Sequence, residues 1–307
     1  MCPWDTLIQF KQKSSILYKM TKFSDFIFIE DEVICTDKYL NFSLKHPTEV
    51  IKYYKHDYLF QDGEWRGKSV KSCKGVQSKI VLCGHSDYAV TDLVTDNVTN
   101  WTKCKLLYSV NNTSTRSWSN PLPLGITNWT FETDNHPIFG NTEIMTSVAS
   151  QPSIRNKWIY CNFNLYTNMT VRRECAMHMV KLYGTNGEEN NYITLGNHQP
   201  DLQGRTQFLY DMKCHRFTIC PEGNGIDTHR LWEALYMGSI PIVKKNVAYR
   251  GLEDLPIAWI NDWGELNKEW CETKWNEMKD KDYSKSLSKL YISYWLTLLQ
   301  KQIELVV

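Results

Sequence analysis

One stretch of the sequence carries residues whose types and spacing suit the binding of a phosphate group. It runs from Phe217 to Val243 and reads FTICPEGNGIDTHRLWEALYMGSIPIV. Its apolar start predicts a buried strand, and the loop that follows contains Gly223, Asn224 and Gly225. Glycines free the backbone for positive φ angles and let a ligand approach closely. A strand, a glycine loop and a helix start predict an anion site, because free N–H groups and the helix dipole favour negative charge there.

The predicted helix after this loop adds two charged side chains on one face. We expect Asp227 or Thr228 to cap its N-terminus and Gly238 to end it as a C′ glycine. Arg230 lies in the first turn, beside any bound phosphate. Glu233 lies three residues further on the same face, where its carboxylate can accept hydrogen bonds from both hydroxyls of a ribose. The alternative is an exposed ion pair between these two side chains, with a contribution of about 0.2–0.5 kcal/mol.

Other nucleotide-binding motifs are incomplete in this sequence. The tripeptide at 67–69 (Gly-Lys-Ser) matches the end of a P-loop, but Asp62 stands where that motif needs its first glycine. Gly223 and Gly225 lack the third glycine of a dinucleotide-binding loop, because Thr228 occupies that position. The anion site is therefore predicted from the strand, loop and helix pattern alone.

The second half of the chain alternates strand-like and helix-like segments that would position this site. Strands are predicted at 157–161, 192–195, 217–220 and 240–243, and helices at 171–182, 201–213 and 228–237. This alternation predicts a parallel sheet covered by helices, and therefore an α/β fold. A final amphipathic helix is predicted over 283–304, where apolar residues recur at spacings of three and four.

The first half of the chain is less regular. Compact apolar runs at 26–29, 79–83 and 106–110 predict buried strands separated by polar turns. A length of 307 residues predicts two domains at roughly 150 residues each. We place the boundary at 150, which divides the chain into 1–150, 151–282 and the last helix with its tail, 283–307.

Composition limits the kinds of partner. Lys and Arg number 35 against 34 Asp and Glu, so the net charge of +1 argues against nucleic acid or an anionic membrane as the main partner. No window approaches the roughly 20 apolar residues of a membrane span. We find no export signal at the N-terminus and expect a soluble, cytoplasmic protein.

Cysteine spacing argues against a metal site. Ten cysteines are scattered without a C-x-x-C pair, so a tetrahedral zinc site is not predicted. We expect reduced and mostly buried thiols. The triplet at 280–282 (Asp-Lys-Asp) matches a D-x-D metal motif, but it lies in a charged, helix-like stretch and we do not assign it to a metal.

The segment from Phe217 to Val243 resembles the donor-binding core of exostosin-like glycosyltransferases. The family pattern is close to F-x-x-C-P-x-G-x-G-x-D-T-x-R-x-W-E-A-L-x-x-G-x-I-P-V-V, and about thirty contiguous residues agree with it. A looser resemblance covers 155–270, whereas the first half matches no motif of the family. Compact, soluble versions with a similar composition belong to large algal DNA viruses of the chlorovirus type, which build capsid glycans. This resemblance implies the host cytoplasm as the location.

The resemblance implies a GT-B architecture, in which two Rossmann-like domains face a cleft. The C-terminal domain would bind a UDP-sugar, with UDP-xylose as a candidate, and 1–150 would form the acceptor side. The last helix would cross back to the first domain. A hexosyl- or pentosyl-transferase of this kind is expected to be inverting, to need no metal or other cofactor, and to act on an oligosaccharide or glycoprotein acceptor.

The resemblance also implies roles for residues outside the glycine loop. A basic residue after strand 157–161 would neutralise the diphosphate leaving group, with Arg173 preferred over its neighbour Arg172 and a solvated helix end as the alternative. Asp87 and His85, which follow strand 79–83, are the candidate general bases. Glu222 would contact the donor sugar or cap the loop. Asp134 and His136 are reserve candidates for the base.

Two other functions remain open from the sequence. The first is a catalytically inactive relative of the same fold that binds a glycan or a nucleotide but lacks a base. The second is a nucleotide-binding enzyme with another chemistry, such as a sugar-phosphate epimerase.

Overall fold

The computed structural model describes residues 21–55, 60–61, 64–65, 77–128, 138–185, 192–197 and 201–307. Within these ranges the fold is α/β, with two separate all-parallel sheets as in a GT-B-like two-domain arrangement. The reserve candidates Asp134 and His136 lie outside the described residues.

The first sheet belongs to the N-terminal half. Its strands are β1 (Ile51–Lys55), β4 (Ile80–Gly84), β5 (Leu106–Ser109) and β6 (Ser119–Pro121), in the order β1-β4-β5-β6. Two short strands, β2 (Phe60–Gln61) and β3 (Glu64–Trp65), pair antiparallel apart from it. The helices of this half are α1 (Thr36–Ser43), α2 (Asp92–Thr102) and α3 (Thr142–Ser150). β4 is buried along its whole length, as expected for a central strand of a parallel sheet.

The second sheet belongs to the C-terminal half. Its strands are β7 (Lys157–Cys161), β8 (Ile193–Leu195), β9 (His215–Ile219), β10 (Ile240–Lys244) and β11 (Ala258–Ile260). The helices are α4 (Met169–Thr185), α5 (Leu202–Cys214), α6 (His229–Tyr236) and α7 (Lys268–Met278). The strand order β11-β10-β9-β7-β8 reverses between β7 and β9. In open α/β sheets such a switch point opens a crevice at the carboxyl ends of the strands.

The last helix joins the two halves. Helix α8 (Ile292–Val306) packs against α1. The Ser293 amide at its start donates to the Glu32 carboxylate at 3.1 Å, and the Gln300 side chain meets the His46 ring at 3.2 Å. The helix begins at Ile292 rather than at residue 283 because a turn and a 3-10 helix precede it. The C-terminal segment therefore crosses to the N-terminal half.

Two further details differ from the prediction. Residues 26–29 form no strand; the rings of Phe26 and Phe28 instead pack against Tyr236, at centroid distances of 6.2 and 5.7 Å. Helix α3 lies before the predicted boundary but packs on α5, and the Lys213 ammonium of α5 donates to the carbonyl of Val148 at 2.9 Å. The apolar run at 26–29 predicts burial, but not the element that covers it.

The described cysteines fulfil the expectation of buried thiols. All eight within the described ranges are buried, and none of them is in a disulfide there. None of the helices in those ranges is both long enough and apolar enough to span a bilayer.

Candidate functional site

A cavity of about 370 Å³ lies at the switch point of the second sheet. Asn162 and Asn164 from the loop after β7 line one side, and the glycine loop after β9 lines the other. Asp87 and Leu124, which follow strands of the first sheet, close it from the N-terminal half. This volume lies in the range of pockets that hold small ligands, so the two sheets together form a ligand-sized cleft.

The two glycines of the loop are required by close packing and not by backbone angle. Neither Gly223 nor Gly225 has a positive φ, contrary to our expectation. A Cβ on Gly225 would lie 2.7 Å from the Asn111 side chain, and one on Gly223 would lie 3.0 Å from the Arg172 guanidinium. The loop therefore lies directly against the N-terminal half and against Arg172. Gly238 does have a positive φ of 74°, as expected for a C′ glycine.

The start of α6 carries two buried polar groups without partners. Thr228 is the N-cap residue, yet its side chain makes no capping hydrogen bond, and its buried Oγ1 lacks a partner within the described structure. The Nε of Arg230 is likewise buried and unsatisfied among the described residues. Both residues line the cavity. Leaving a buried donor unsatisfied costs about 1–3 kcal/mol in folding free energy. A ligand with acceptor oxygens that bound these two groups would remove that cost.

Arg172 places a second guanidinium in the cavity. Its Nε donates to the Glu222 carbonyl at 2.9 Å, and its Nη1 donates to the Asn164 carbonyl at 2.6 Å. Burial, together with the nearby charge of Arg230, lowers the pKa of Arg172 to about 10. Two mutually repelling guanidinium groups in one cavity favour an anion with more than one negative charge.

Arg173 does not reach this cavity. Its side chain is exposed and lines a separate surface depression together with Glu174 and Asp262. On α4 the buried positions Arg172, Cys175, Met179 and Leu182 follow helical spacing. Arg173 falls off that stripe, which explains why the structure places its neighbour in the cleft.

Glu233 lines the cavity and pairs with Arg205 instead of Arg230. The Arg205 Nη2 donates to Glu233 Oε1 at 2.6 Å, and both side chains are about 95% buried, with 4% and 5% exposed. Burial alone would raise the pKa of Glu233, but Arg205, His229 and Arg230 hold it below its ordinary value. An exposed ion pair is therefore not what this carboxylate forms. Glu233 is a buried carboxylate whose Oε1 binds Arg205. Its other oxygen, Oε2, is a second hydrogen-bond acceptor.

The spacing of buried residues on α5 is a sequence signal for Arg205. Arg205, Leu209 and Met212 are all buried on α5, at spacings of four and three. An arginine on an otherwise apolar helical stripe predicts a buried charge that needs a partner.

Glu222 turns away from the cavity. Its carboxylate accepts a hydrogen bond from the Asn246 amide at 3.2 Å, and burial raises its pKa. Its backbone carbonyl, which binds Arg172, is the part of the residue that supports the site. Asn224, by contrast, is exposed at the tip of the loop and lines the cavity.

Asp227 joins the two halves of the chain below the cleft. Its carboxylate accepts hydrogen bonds from the Leu124 amide at 2.8 Å and from the Trp232 indole at 2.9 Å. Its own amide donates to the Asn111 side chain at 2.8 Å. The residue precedes the N-cap, so its structural role is to hold α6 against the N-terminal half. Burial raises its pKa to about 7, and its hydrogen bonds only partly offset this.

This raised pKa predicts a pH effect on stability. Between about pH 4 and pH 7 the folded state keeps a proton on Asp227 that the unfolded state has lost, so stability falls as the pH rises through this range. We expect the melting temperature of Asp227→Asn relative to the wild type to increase from pH 4 to pH 7 and then to level off. Thermal melts between pH 4 and pH 8 measure this difference.

Asp96→Asn is the matched control for the Asp227 experiment. Asp96 is partly exposed, and Arg116 lowers its pKa, so its titration lies below this window. Its melting-temperature difference should stay flat between pH 4 and pH 7. A flat difference for Asp227→Asn as well would show that the buried carboxyl titrates normally.

A second cavity of about 780 Å³ adjoins the first on the side of the N-terminal half. The residues that line both cavities are Asp87, Leu124, Thr127, Thr167, Asn224 and His229. Asp87 is exposed at this boundary. The walls of the second cavity are mostly uncharged and polar, which suits a hydroxyl-rich ligand better than an anion.

His85 lines the second cavity, but both of its ring nitrogens are engaged. Nδ1 meets the Tyr53 hydroxyl at 2.6 Å, and Nε2 meets the Asp37 carboxylate at 2.7 Å. His85 also has a positive φ of 54°, which is uncommon for a residue with a side chain. These contacts hold the loop after β4 in place and leave no ring nitrogen to take a proton directly from a ligand.

The described residues contain no group of three or more His, Cys, Asp or Glu side chains placed to hold a metal ion. No protein-family model matches the chain, and a search of curated proteins finds no match.

Proposed function

We propose that the chain is a GT-B glycosyltransferase of the exostosin-like kind, which transfers a sugar from a UDP-sugar to a glycan hydroxyl. One observation carries the proposal: the cavity at the switch point brings the guanidinium groups of Arg172 and Arg230 to the start of α6, where Thr228 Oγ1 and Arg230 Nε have no partner among the described residues. Guanidinium groups and a helix N-terminus that line one partly enclosed site suit a diphosphate.

The other residues of the cavity support the same ligand. The second oxygen of Glu233 would accept hydrogen bonds from ribose hydroxyls, and Arg205 neutralises the carboxylate, so that it does not repel the phosphates. Phe208 adds an apolar surface beneath Arg205 and Arg230, at 5.1 and 5.9 Å from its ring centroid. A nucleoside diphosphate has the three kinds of group that these residues suit: phosphates, ribose hydroxyls and a ring that can pack on an apolar surface.

The adjoining second cavity is the proposed binding site of the acceptor. An acceptor hydroxyl in the second cavity would meet the donor sugar at the boundary that Asp87 and His229 share. Its oxygen attacks the anomeric carbon as the bond to the β-phosphate breaks, and UDP leaves with inversion of the anomeric centre. Arg172, Arg230 and the helix start stabilise the charge that develops on the leaving group. The acceptor is an oligosaccharide or glycoprotein, and UDP-xylose is the first donor to test.

Donor turnover tests this function. The chain is incubated with UDP-xylose or with other UDP-sugars, with and without a panel of methyl glycosides, and the anomeric proton signals are followed by NMR. We expect one donor to be consumed, UDP to appear, and the product to have the inverted configuration. Turnover that EDTA abolishes would contradict a metal-independent enzyme. UDP binding without any turnover would support the inactive relative instead.

A further inference from the structure

His229 lies where the two cavities meet, at the first residue of α6. It faces the donor cavity on one side and the acceptor cavity on the other. Its Nδ1 lies 2.7 Å from the carbonyl oxygen of Gly125, which belongs to the N-terminal half. The imidazole is therefore held by both halves of the chain at the point where donor and acceptor would meet.

The contact with Gly125 determines the tautomer of the ring. A carbonyl oxygen can only accept, so Nδ1 of His229 must carry the proton. In the neutral ring Nε2 is then an acceptor with a free lone pair. Burial lowers the pKa of His229. The charges of Glu233 and Asp87 raise this pKa, whereas the charge of Arg205 lowers it further. The net direction favours the neutral imidazole, which is the form able to take a proton.

The two residues that the sequence suggested for this role are less suited to it. Both ring nitrogens of His85 already have protein partners. Asp87 is an exposed carboxylate, so water competes with a ligand for its oxygens. Asp87 is nevertheless close enough to His229 to stabilise an imidazolium.

We propose that Nε2 of His229 is the general base of the transfer reaction, held in position by the Gly125 carbonyl and assisted by Asp87. This inference rests on the proposed function. The proton of the acceptor hydroxyl moves to Nε2 while the acceptor oxygen forms its bond to the anomeric carbon. The bond between that carbon and the phosphate oxygen breaks, and its electron pair leaves with UDP. The imidazolium returns its proton to solvent before the next turnover.

A phosphate ligand is the other role that a histidine at a helix start can have. That role needs an N–H on Nε2, and hence an imidazolium from the outset, because Nδ1 is already directed at Gly125. The two roles differ in measurable ways. Loss of a phosphate ligand weakens UDP binding, whereas loss of a base lowers kcat and leaves UDP binding intact.

His229→Asn tests the assignment, because the asparagine amide can keep the hydrogen bond to Gly125 while removing the basic nitrogen. UDP affinity is measured by calorimetry, and kcat by UDP release from the best UDP-sugar with water or a methyl glycoside as acceptor. We expect kcat to fall by roughly 10²- to 10⁴-fold with unchanged UDP affinity. The wild-type kcat should also fall at low pH, with an apparent pKa below the ordinary histidine value of 6.5, and the variant should lack this dependence.

His178→Gln is the matched control, because the His178 ring also binds a backbone carbonyl, that of Leu266 at 2.8 Å, but lies outside both cavities. It should behave as the wild type. A fully active His229→Asn variant, or one that loses UDP affinity in proportion to its activity, would overturn the base assignment alone. A folded wild type that consumes no donor would overturn the function and the base assignment together.

Discussion

Replacing Arg230 with methionine is expected to weaken UDP binding by roughly 10- to 100-fold, the effect of losing charge-assisted hydrogen bonds to phosphate. Methionine keeps an unbranched apolar chain where the Arg230 stem lies, and it removes only the guanidinium, whose carbon lies 5.9 Å from the Phe208 ring centroid. The loss would then report the guanidinium and not a rearranged pocket. Titration of UDP into the folded variant by calorimetry measures it.

The same substitution should not destabilise the protein. The Arg230 Nε is buried without a partner among the described residues, and the charge of Arg230 lowers the pKa of Arg172. Removing it relieves an unsatisfied donor and a repulsion between like charges, but it also removes an attraction to the Glu233 carboxylate, so the melting temperature should change little. A binding residue whose loss leaves the apo protein equally or more stable is one kept for its ligand.

Arg173→Met is the matched control for Arg230→Met. Arg173 is an exposed arginine on a different surface, so UDP affinity and melting temperature should both match the wild type. Unchanged UDP affinity in Arg230→Met would remove Arg230 from the donor site. A large drop in melting temperature would assign it a structural role instead.

Removing one partner of the buried Arg205–Glu233 pair is expected to have the largest effect on stability. Glu233→Leu leaves the Arg205 guanidinium buried without its counter-ion, which should lower the free energy of unfolding by about 3–5 kcal/mol. Arg205→Met should cost a similar amount, because it strands the Glu233 carboxylate. Denaturant unfolding of both variants measures these losses.

The double variant Arg205→Met/Glu233→Leu separates the structural role from the binding role. Both charges are absent, so much of the stability should return, since apolar replacements of a buried ion pair are often neutral or stabilising. UDP affinity should not return, because the carboxylate that we propose accepts the ribose hydroxyls is gone. Additive losses of stability in the double variant would contradict a coupled pair. Restored UDP affinity would contradict the ribose contact.

The elements around the glycine loop could be predicted because local pattern and tertiary role agree there. β7, β9 and α6 combine apolar runs with a glycine loop and a C′ glycine, and the structure has them close to their predicted positions. β1 and β6 were not predicted. The sequence of β1, Ile-Lys-Tyr-Tyr-Lys, contains residues that favour strands, but its two lysines break the apolar run that marks a buried strand. β6 is three residues long and ends in proline, so its pairing comes from the neighbouring strand and not from local preference.

The candidate site could be predicted in its type but not in all its members. Thr228, Arg230 and Glu233 line the cavity, as their spacing on α6 suggested. Arg172 and Arg205 lie on the buried stripes of α4 and α5, at positions where an apolar residue is expected. Only this stripe pattern marks them in the sequence. His229 and Gly125 are more than a hundred residues apart, and their contact depends on how the two halves pack. Local sequence contains no information on that contact.

Calorimetric titration of UDP into the wild-type protein tests the central claim most directly, because it requires neither the right sugar nor the right acceptor. We predict saturable binding at one site per chain, with a dissociation constant between about 1 μM and 1 mM, the usual range for enzyme substrates. A folded protein that shows no saturable binding of UDP would contradict the account of the cleft as a nucleotide-sugar site.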